Sequence, residues 1–170
     1  MGEIAALNYP KDADRVLNLC LRARDYVELE TGNGPDTAYV RETMTEAPSG
    51  VPPDQQWCWG HSDANGTLSG FATCLKGFYA ADDWYLGLLL LDPTARSAGL
   101  GTLMAHHVIA QARADNAPCL RIAVLDANPR GRAFWERLGF CPEKSTTKGD
   151  GHLRHVLRLN LTNKETTNDL

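Results

Sequence analysis

The sequence predicts one α+β domain, and three observations carry that prediction. The chain has 170 residues, 43% of them hydrophobic, enough for one domain with a core of its own. Its apolar periodicity switches repeatedly between extended and helical spacing, in the order β-α-α-β-β-β-α-β-α-β. The strand-like segments 84–91 and 119–125 flank a single helix, which makes them parallel, because a helical crossover returns the chain to the same end of a sheet.

EIAAL near the N-terminus reads as a short first strand. Val16, Leu17, Leu19, Cys20 and Ala23 then recur with helical spacing, and Gly32 and Gly34 stop what reads as one helix. A second helix is expected over 36–45, with Asp36 or Thr37 as its N-cap, and APSGVPPD is a loop by composition. QQWCWGHS and TLSGFATCLKGFYA are strand-like, with the two-residue hairpin signal Asn65-Gly66 between them. DDWYLGLLLLD is apolar on both faces, as a strand in the middle of a sheet must be. The helix beginning near Gly101 carries Leu103, Met104, His107 and Val108 on one face and stops at Asn116, ahead of Pro118. CLRIAVLD is another buried strand. In NPRGRAFWERLGF, Asn128 as N-cap, Pro129 at the first helical position and Gly139 at the end frame a helix. HLRHVLRLNL is the last strand. The domain is expected over 1–160, with 161–170 a polar tail.

Composition narrows the function. A formal charge of −4 lacks the basic face of a nucleic-acid binder, and no basic surround makes Trp57 and Trp59 a stacking platform, so cross-strand packing is expected of them. No apolar run reaches the ~18 residues of a membrane span. MGEIAALNYPKDADR lacks a signal-peptide pattern, so the cytoplasm is expected. Cys20, Cys58, Cys74, Cys119 and Cys141 form no C-x-x-C and read as buried free thiols of a reducing compartment. No metal is expected: His106 and His107 point apart on a helix, and His152 and His155 fall on opposite faces of a strand.

The turn Arg96-Ser97-Ala98-Gly99-Leu100-Gly101 joins a leucine-rich strand to a helix. A helix start leaves backbone N–H groups unpartnered and carries partial positive charge. Gly99 and Gly101 would let the backbone approach a phosphate without Cβ interference, and Arg96 would add a charge-assisted bond. A strand-to-helix turn also favours glycine for conformational reasons alone, and G-x-G by itself does not separate the two. A Rossmann fingerprint needs a third glycine where Met104 stands, and a Walker loop needs a lysine that the turn lacks.

LLLLDPTARSAGLGTLM resembles the acyl-CoA-binding signature of the GNAT superfamily of N-acyltransferases, [RQ]-x-x-G-x-[GA] after a strand ending in a V-x-P-like step. Leu91-Asp92-Pro93 supplies the step, and Arg96, Gly99 and Gly101 fill the three motif positions. About thirty residues later, NPRGRAFWERLGF resembles the family's second signature, with Asn128, Phe134, Trp135, Gly139 and Phe140 in place. The likeness covers 3–160 in element order and is close over 84–140.

The resemblance implies a mixed, splayed central sheet flanked by helices, whose parallel strands 84–91 and 119–125 part to admit the pantetheine arm of acetyl-CoA. It implies that the backbone of Ser97, Ala98, Gly99, Leu100, Gly101 and Thr102 receives the diphosphate, with Arg96 beside it. It implies main-chain pairing of the arm along Leu89 and Leu91, a form of strand addition. Asn128, Phe134 and Trp135 would add cofactor contacts, and the Leu91 N–H would serve as a one-donor oxyanion hole. A primary amine, on a small molecule or a peptide, would attack the acetyl group directly, which fits the lack of a Ser/His/Asp or Cys/His signature. Homodimers are common in the family.

Many relatives place a tyrosine acid after the phenylalanine of the second signature. Trp135 stands here, and an indole N–H donates a hydrogen bond without being a usable acid. Tyr85 is the first substitute, near where some relatives carry a catalytic glutamate; packing within the strand is the more ordinary explanation of it, and water or Cys141 are further options. Asn128 is explained as an N-cap and by the resemblance as a cofactor contact, and the two roles coexist. DYVELE is a solvated helix end by its charge, yet the loop after the first helix commonly forms the acceptor wall in this family, so Glu28 and Glu30 are candidates to hold a cationic substrate. Peptide N-termini, lysine side chains, polyamines, aminoglycosides and amino acids all stay open as acceptors. Two other functions stay open beside the enzyme: an inactive CoA-binding module, motivated by Trp135, and a nucleotide- or phosphate-binding domain.

Overall fold

A computed structural model describes residues 2–162. Its strands are β1 (Glu3–Ala6), β2 (Gln56–Ser62), β3 (Leu68–Lys76), β4 (Trp84–Leu91), β5 (Cys119–Leu125), β6 (Cys141–Thr147) and β7 (Leu153–Asn160). Its helices are α1 (Ala13–Arg22), α2 (Arg24–Thr31), α3 (Thr37–Thr45), α4 (Leu100–Ala114) and α5 (Pro129–Arg137). The strands form one sheet in the order β1-β2-β3-β4-β5-β7-β6. Every neighbouring pair is antiparallel except β4 and β5, the pair the helical crossover made parallel. The mixed α+β sheet is the one the sequence predicts.

One residue organises the centre of the sheet. The β3–β4 register shifts between Thr73 and Cys74, which face Leu88 and Leu86, so Gly87 is an extra residue in β4. An extra residue exchanges the two faces of a strand. Before it, Trp84 and Leu86 pack with Met104, Val108, Leu120, Ile122 and Phe140 in the core under α4 and α5. After it, Leu88 and Leu90 pack with Val16, Leu19, Val40 and Phe71 in the core under α1 and α3. A strand of successive leucines thereby serves both cores. The WCW segment packs as expected, with Trp57 and Trp59 stacked on Trp84 at centroid distances of 4.8 and 6.3 Å.

Several expectations need correction. The helix expected to run unbroken to Gly32 is two, α1 and α2, which meet at the fully buried Ala23 (φ −97°, ψ 31°). No glycine or proline marks the break; two ion pairs hold the chain on either side of it, Arg22 Nε to Asp92 (2.6 Å) and Arg96 to both oxygens of Asp25 (2.6 and 3.0 Å). β6 was missed because Pro-Glu-Lys-Ser-Thr-Thr shows no apolar alternation; it is an exposed edge strand paired only with β7. The β2–β3 hairpin turns over five residues, 63–67, because Asp63 Oδ1 accepts from the N–H groups of Asn65 and Thr67. Leu103 is 51% exposed, since the buried stripe of α4 runs through Leu100, Met104, Ala105, Val108 and Ile109. His152 precedes β7 instead of lying in it, and Cys141 is exposed at the sheet edge while the other four cysteines are buried. Of the expected tail, Leu161 is buried, and 163–170 lie outside the described residues.

Candidate functional site

The turn before α4 is shaped from within. Asp92 Oδ1 accepts from the Thr94 N–H (2.9 Å) and hydroxyl (2.7 Å), which sets the short helical turn over 93–95. Ser97 (φ 63°) and Gly99 (φ 85°) then take left-handed conformations. No side chain caps α4, and its first backbone bond is Leu103 N–H to Gly99 O (3.0 Å). The N–H groups of Leu100, Gly101 and Thr102 therefore have no acceptor within the helix, and a 15-residue helix aligns its dipole behind them. Ser97, Ala98 and Gly99 are exposed, and a Cβ on Gly99 would meet nothing within 4 Å. Such an open row of donors fits the diphosphate of acetyl-CoA.

The two glycines have different jobs. Gly101 is buried, and a Cβ there would lie 3.3 Å from Leu91 Cδ1 and 3.4 Å from the Phe134 ring, so its missing side chain seats α4 on β4 and α5. Arg96, expected at the phosphate, is bound to Asp25 of α2.

Beside this turn the sheet opens. β4 and β5 pair only through Trp84–Leu120, Tyr85–Arg121 and Leu86–Ile122, and separate beyond. The Asp92 N–H donates to Ser69 O (2.9 Å), so by strand alternation Leu89 and Leu91 turn their N–H and C=O groups away from β3, into the opening. At its far side Asn128 Oδ1 accepts from the Gly131 N–H (3.0 Å) and caps α5. Phe134 and Trp135 pack edge to face (4.8 Å), and Trp135 packs likewise on Phe140 (5.2 Å) with 8% exposure, inside the core.

Tyr85 stands where the strands begin to part. Being out of step with Trp84 and Leu86, it faces the α1–α3 side, as do its parallel partner Arg121 and, two strands on, Arg154 of β7. Phe78 and Tyr79 lie 5.1 and 5.6 Å from it, and Tyr26 and Tyr39 pack against the same core. Burial, followed by the Tyr79 and Glu30 charges, pushes the Tyr85 phenol well above its ordinary range. Burial also leads the upward shift of Tyr26, and next to it acts Glu30. Glu30 itself is pushed up by burial, opposed by Arg154 and Lys148, and its Oε2 is buried without a hydrogen-bond partner. The structure thus separates the two acids of DYVELE: Glu28 is exposed and paired with Arg24, while Glu30 turns inward. Arg154 donates both terminal nitrogens to Asp150 (3.1 and 2.7 Å). Sequence reasoning missed Tyr26, Phe78, Tyr79 and Arg154, since only strand parity and the α1–α2 break bring them to one place. Among the described residues no helix is long and apolar enough to cross a membrane.

Comparison with known proteins agrees with this architecture. A search of curated proteins returns no match. The fold is similar to that of the ribosomal-protein-S18-alanine N-acetyltransferase from Escherichia coli, at TM-score 0.73 and 18% identity over 98% of both chains. It is similar to an acetyltransferase from Thermus thermophilus, at TM-score 0.75 and 22% identity, covering 95% of this chain and 97% of that one. A GCN5-related N-acetyltransferase from Kribbella flavida superposes with TM-score 0.70 at 18% identity, over 94% and 98% of the two chains. The model of the acetyltransferase (GNAT) family matches residues 23–140, well over half the sequence. The chain belongs to the GNAT acetyltransferase family.

Proposed function

We propose that the protein is an N-acetyltransferase that moves the acetyl group of acetyl-CoA to a primary amine, on a small molecule or a peptide. The observation that carries this reading is the parting of β4 from β5 directly beside the uncapped start of α4. When bound, acetyl-CoA supplies an acetyl group activated as a thioester. The N–H groups from Ser97 to Thr102 hold the diphosphate, and the outward main-chain groups of Leu89 and Leu91 align an extended arm. The Leu91 N–H is the donor for the oxyanion. Asn128, beyond capping α5, keeps its amide nitrogen for the donor arm, and Phe134 and Trp135 wall that side. Tyr85 stays protonated at neutral pH and is the proton donor in place of the absent tyrosine. Glu30 holds the ammonium of the acceptor; Glu28 is assigned no part. The free cysteines support a reducing cytoplasm as the place of action.

An acyl-CoA-binding module without turnover is the second reading, favoured by the burial of Trp135 where a tyrosine acid is common. Calorimetry with CoA, ATP and NAD, followed by release of free thiol from acetyl-CoA across an amine panel, tests both. Binding of CoA with thiol release is the expected result. CoA binding without release for any amine leaves the module, and binding of NAD alone overturns both readings.

A further inference from the structure

β4 is the middle strand of the sheet, yet solvent reaches its centre. Gly87 is the one exposed residue of β4, between Leu86 and Leu88, which are 4% and 6% exposed. The register explains the gap. β3 skips Gly87, passing from Thr73–Leu88 to Cys74–Leu86, and the pairing with β5 ends one residue earlier at Leu86–Ile122. Gly87 therefore has no cross-strand partner on either side, at the point where β4 and β5 part. A Cβ there would lie 3.2 Å from Thr73 Oγ1 and 3.7 Å from Tyr85 Cε1. Thr73 faces the α1–α3 side with its partner Leu88, and Tyr85 faces the same side. The space in front of Gly87 thus opens on that side, between a hydroxyl and a phenol ring. Phe78 and Tyr79 continue the ring wall, 5.1 and 5.6 Å from Tyr85. Thr73 is 6% exposed, and among the described residues no group hydrogen-bonds its hydroxyl. A buried hydroxyl without a partner costs stability, and the gap beside Gly87 admits a partner to it.

We propose that Gly87 and Thr73 form the narrow point of the acceptor's approach, and that the acceptor is a primary amine on an unbranched arm whose hydroxyl or amide pairs with Thr73 Oγ1. This rests on the acetyl-transfer reading above. The outward main-chain groups of Leu89 and Leu91 lie two and four residues beyond Gly87, so the arm crosses Gly87 with its amine toward them. At about 3.3 Å per residue, Leu91 is about 13 Å from Gly87, so several methylenes separate the amine from the group that meets Thr73. A side chain at position 87 would fill the crossing. A branch on the arm would meet the Tyr85 ring on one side and Thr73 on the other. Shape at Gly87 and one hydrogen bond at Thr73 together select the acceptor.

Two isosteric amines, 5-aminopentan-1-ol and hexylamine, test the assignment by turnover and by binding. With acetyl-CoA, kcat/KM should favour the amino alcohol about fivefold, the scale of one hydrogen bond between neutral groups. Thr73→Val should remove that preference and Thr73→Ser restore it. CoA affinity should stay within about twofold in both, and the thermal midpoint of Thr73→Val should hold or rise. Gly87→Ala should cut kcat/KM about tenfold for both amines, the scale of one methyl in a specificity pocket, while CoA still binds. In the CoA complex of the wild type, the ¹³C signal of the Thr73 methyl should move further with the amino alcohol than with hexylamine. A wild type without the preference, a preference that survives Thr73→Val, or unchanged kcat/KM in Gly87→Ala overturns the proposal. Parallel loss of CoA affinity and thermal stability in Thr73→Val would show a structural role and overturn it too. Acetylation of other amines but of neither probe would overturn the assigned arm and leave the acetyl-transfer reading standing. Absence of thiol release with any amine would instead sink that reading, and the Thr73 signal would then decide the site alone.

Discussion

Gly99 and Gly101 sit two residues apart in one motif and are required for unrelated reasons. Gly99 is left-handed in open space, so Gly99→Ala meets only backbone strain, about 1 kcal/mol. Gly101 is conformationally ordinary but hemmed in by Leu91 and Phe134, so Gly101→Val overpacks the joint of α4 with β4 and costs about 1–3 kcal/mol. Urea denaturation should rank Gly101→Val as the more damaging, and calorimetry should find CoA affinity reduced in it through the displaced Leu91. A larger loss for Gly99→Ala would refute this division. The motif was legible because glycines at a helix start are a local signal. Which glycine is open and which is packed was not legible, since that depends on Phe134, more than thirty positions away.

Between elements, charge pairing does what local sequence does not. The α1–α2 junction is tied to the 92–96 turn by two arginine–aspartate pairs of opposite sense, so the helix carrying Tyr26 and Glu30 is anchored to the turn that starts α4. Asp92 is the better buried of the two acids. Burial pushes its carboxyl up, but hydrogen bonds from Thr94 and Arg22 outweigh that and hold it below its ordinary value. A carboxyl lowered in the folded state stabilises the fold above its unfolded pKa and loses that contribution as pH falls through the folded value. Thermal melts should therefore show the stability difference between wild type and Asp92→Asn shrinking as pH drops from 6 to below 3. A difference constant over that range would exclude the pair as its cause. Arg96 shows what a motif does not record: its sequence neighbourhood suggests a phosphate, and in the fold its guanidinium pairs with an aspartate 71 positions earlier. β6 hid for the opposite reason, because a solvent-facing edge strand needs no apolar pattern to be held by β7.

At the scale of the molecule, one extra residue in β4 lets a leucine-rich strand feed two cores. Deleting Gly87 would restore an unbroken alternation and turn Leu88 and Leu90 away from the α1–α3 core. The deletion variant should lose its cooperative thermal transition and CoA binding together, whereas Gly87→Ala, whose Cβ would sit 3.2 Å from Thr73 Oγ1, should retain both with a small loss of stability. A folded, CoA-binding deletion variant would show that the bulge does not set the faces. The sequence by itself determined the order of the elements other than α2 and β6, the parallel crossover, the α4 start and the cap of α5. Each of these is written in residues close together in the chain, where hydrogen bonding and backbone conformation are decided locally. Only the tertiary structure decided the break at Ala23, the partner of Arg96 and the burial of Glu30 Oε2. Those depend on which distant side chains share one low-dielectric space, and no spacing along the chain encodes that.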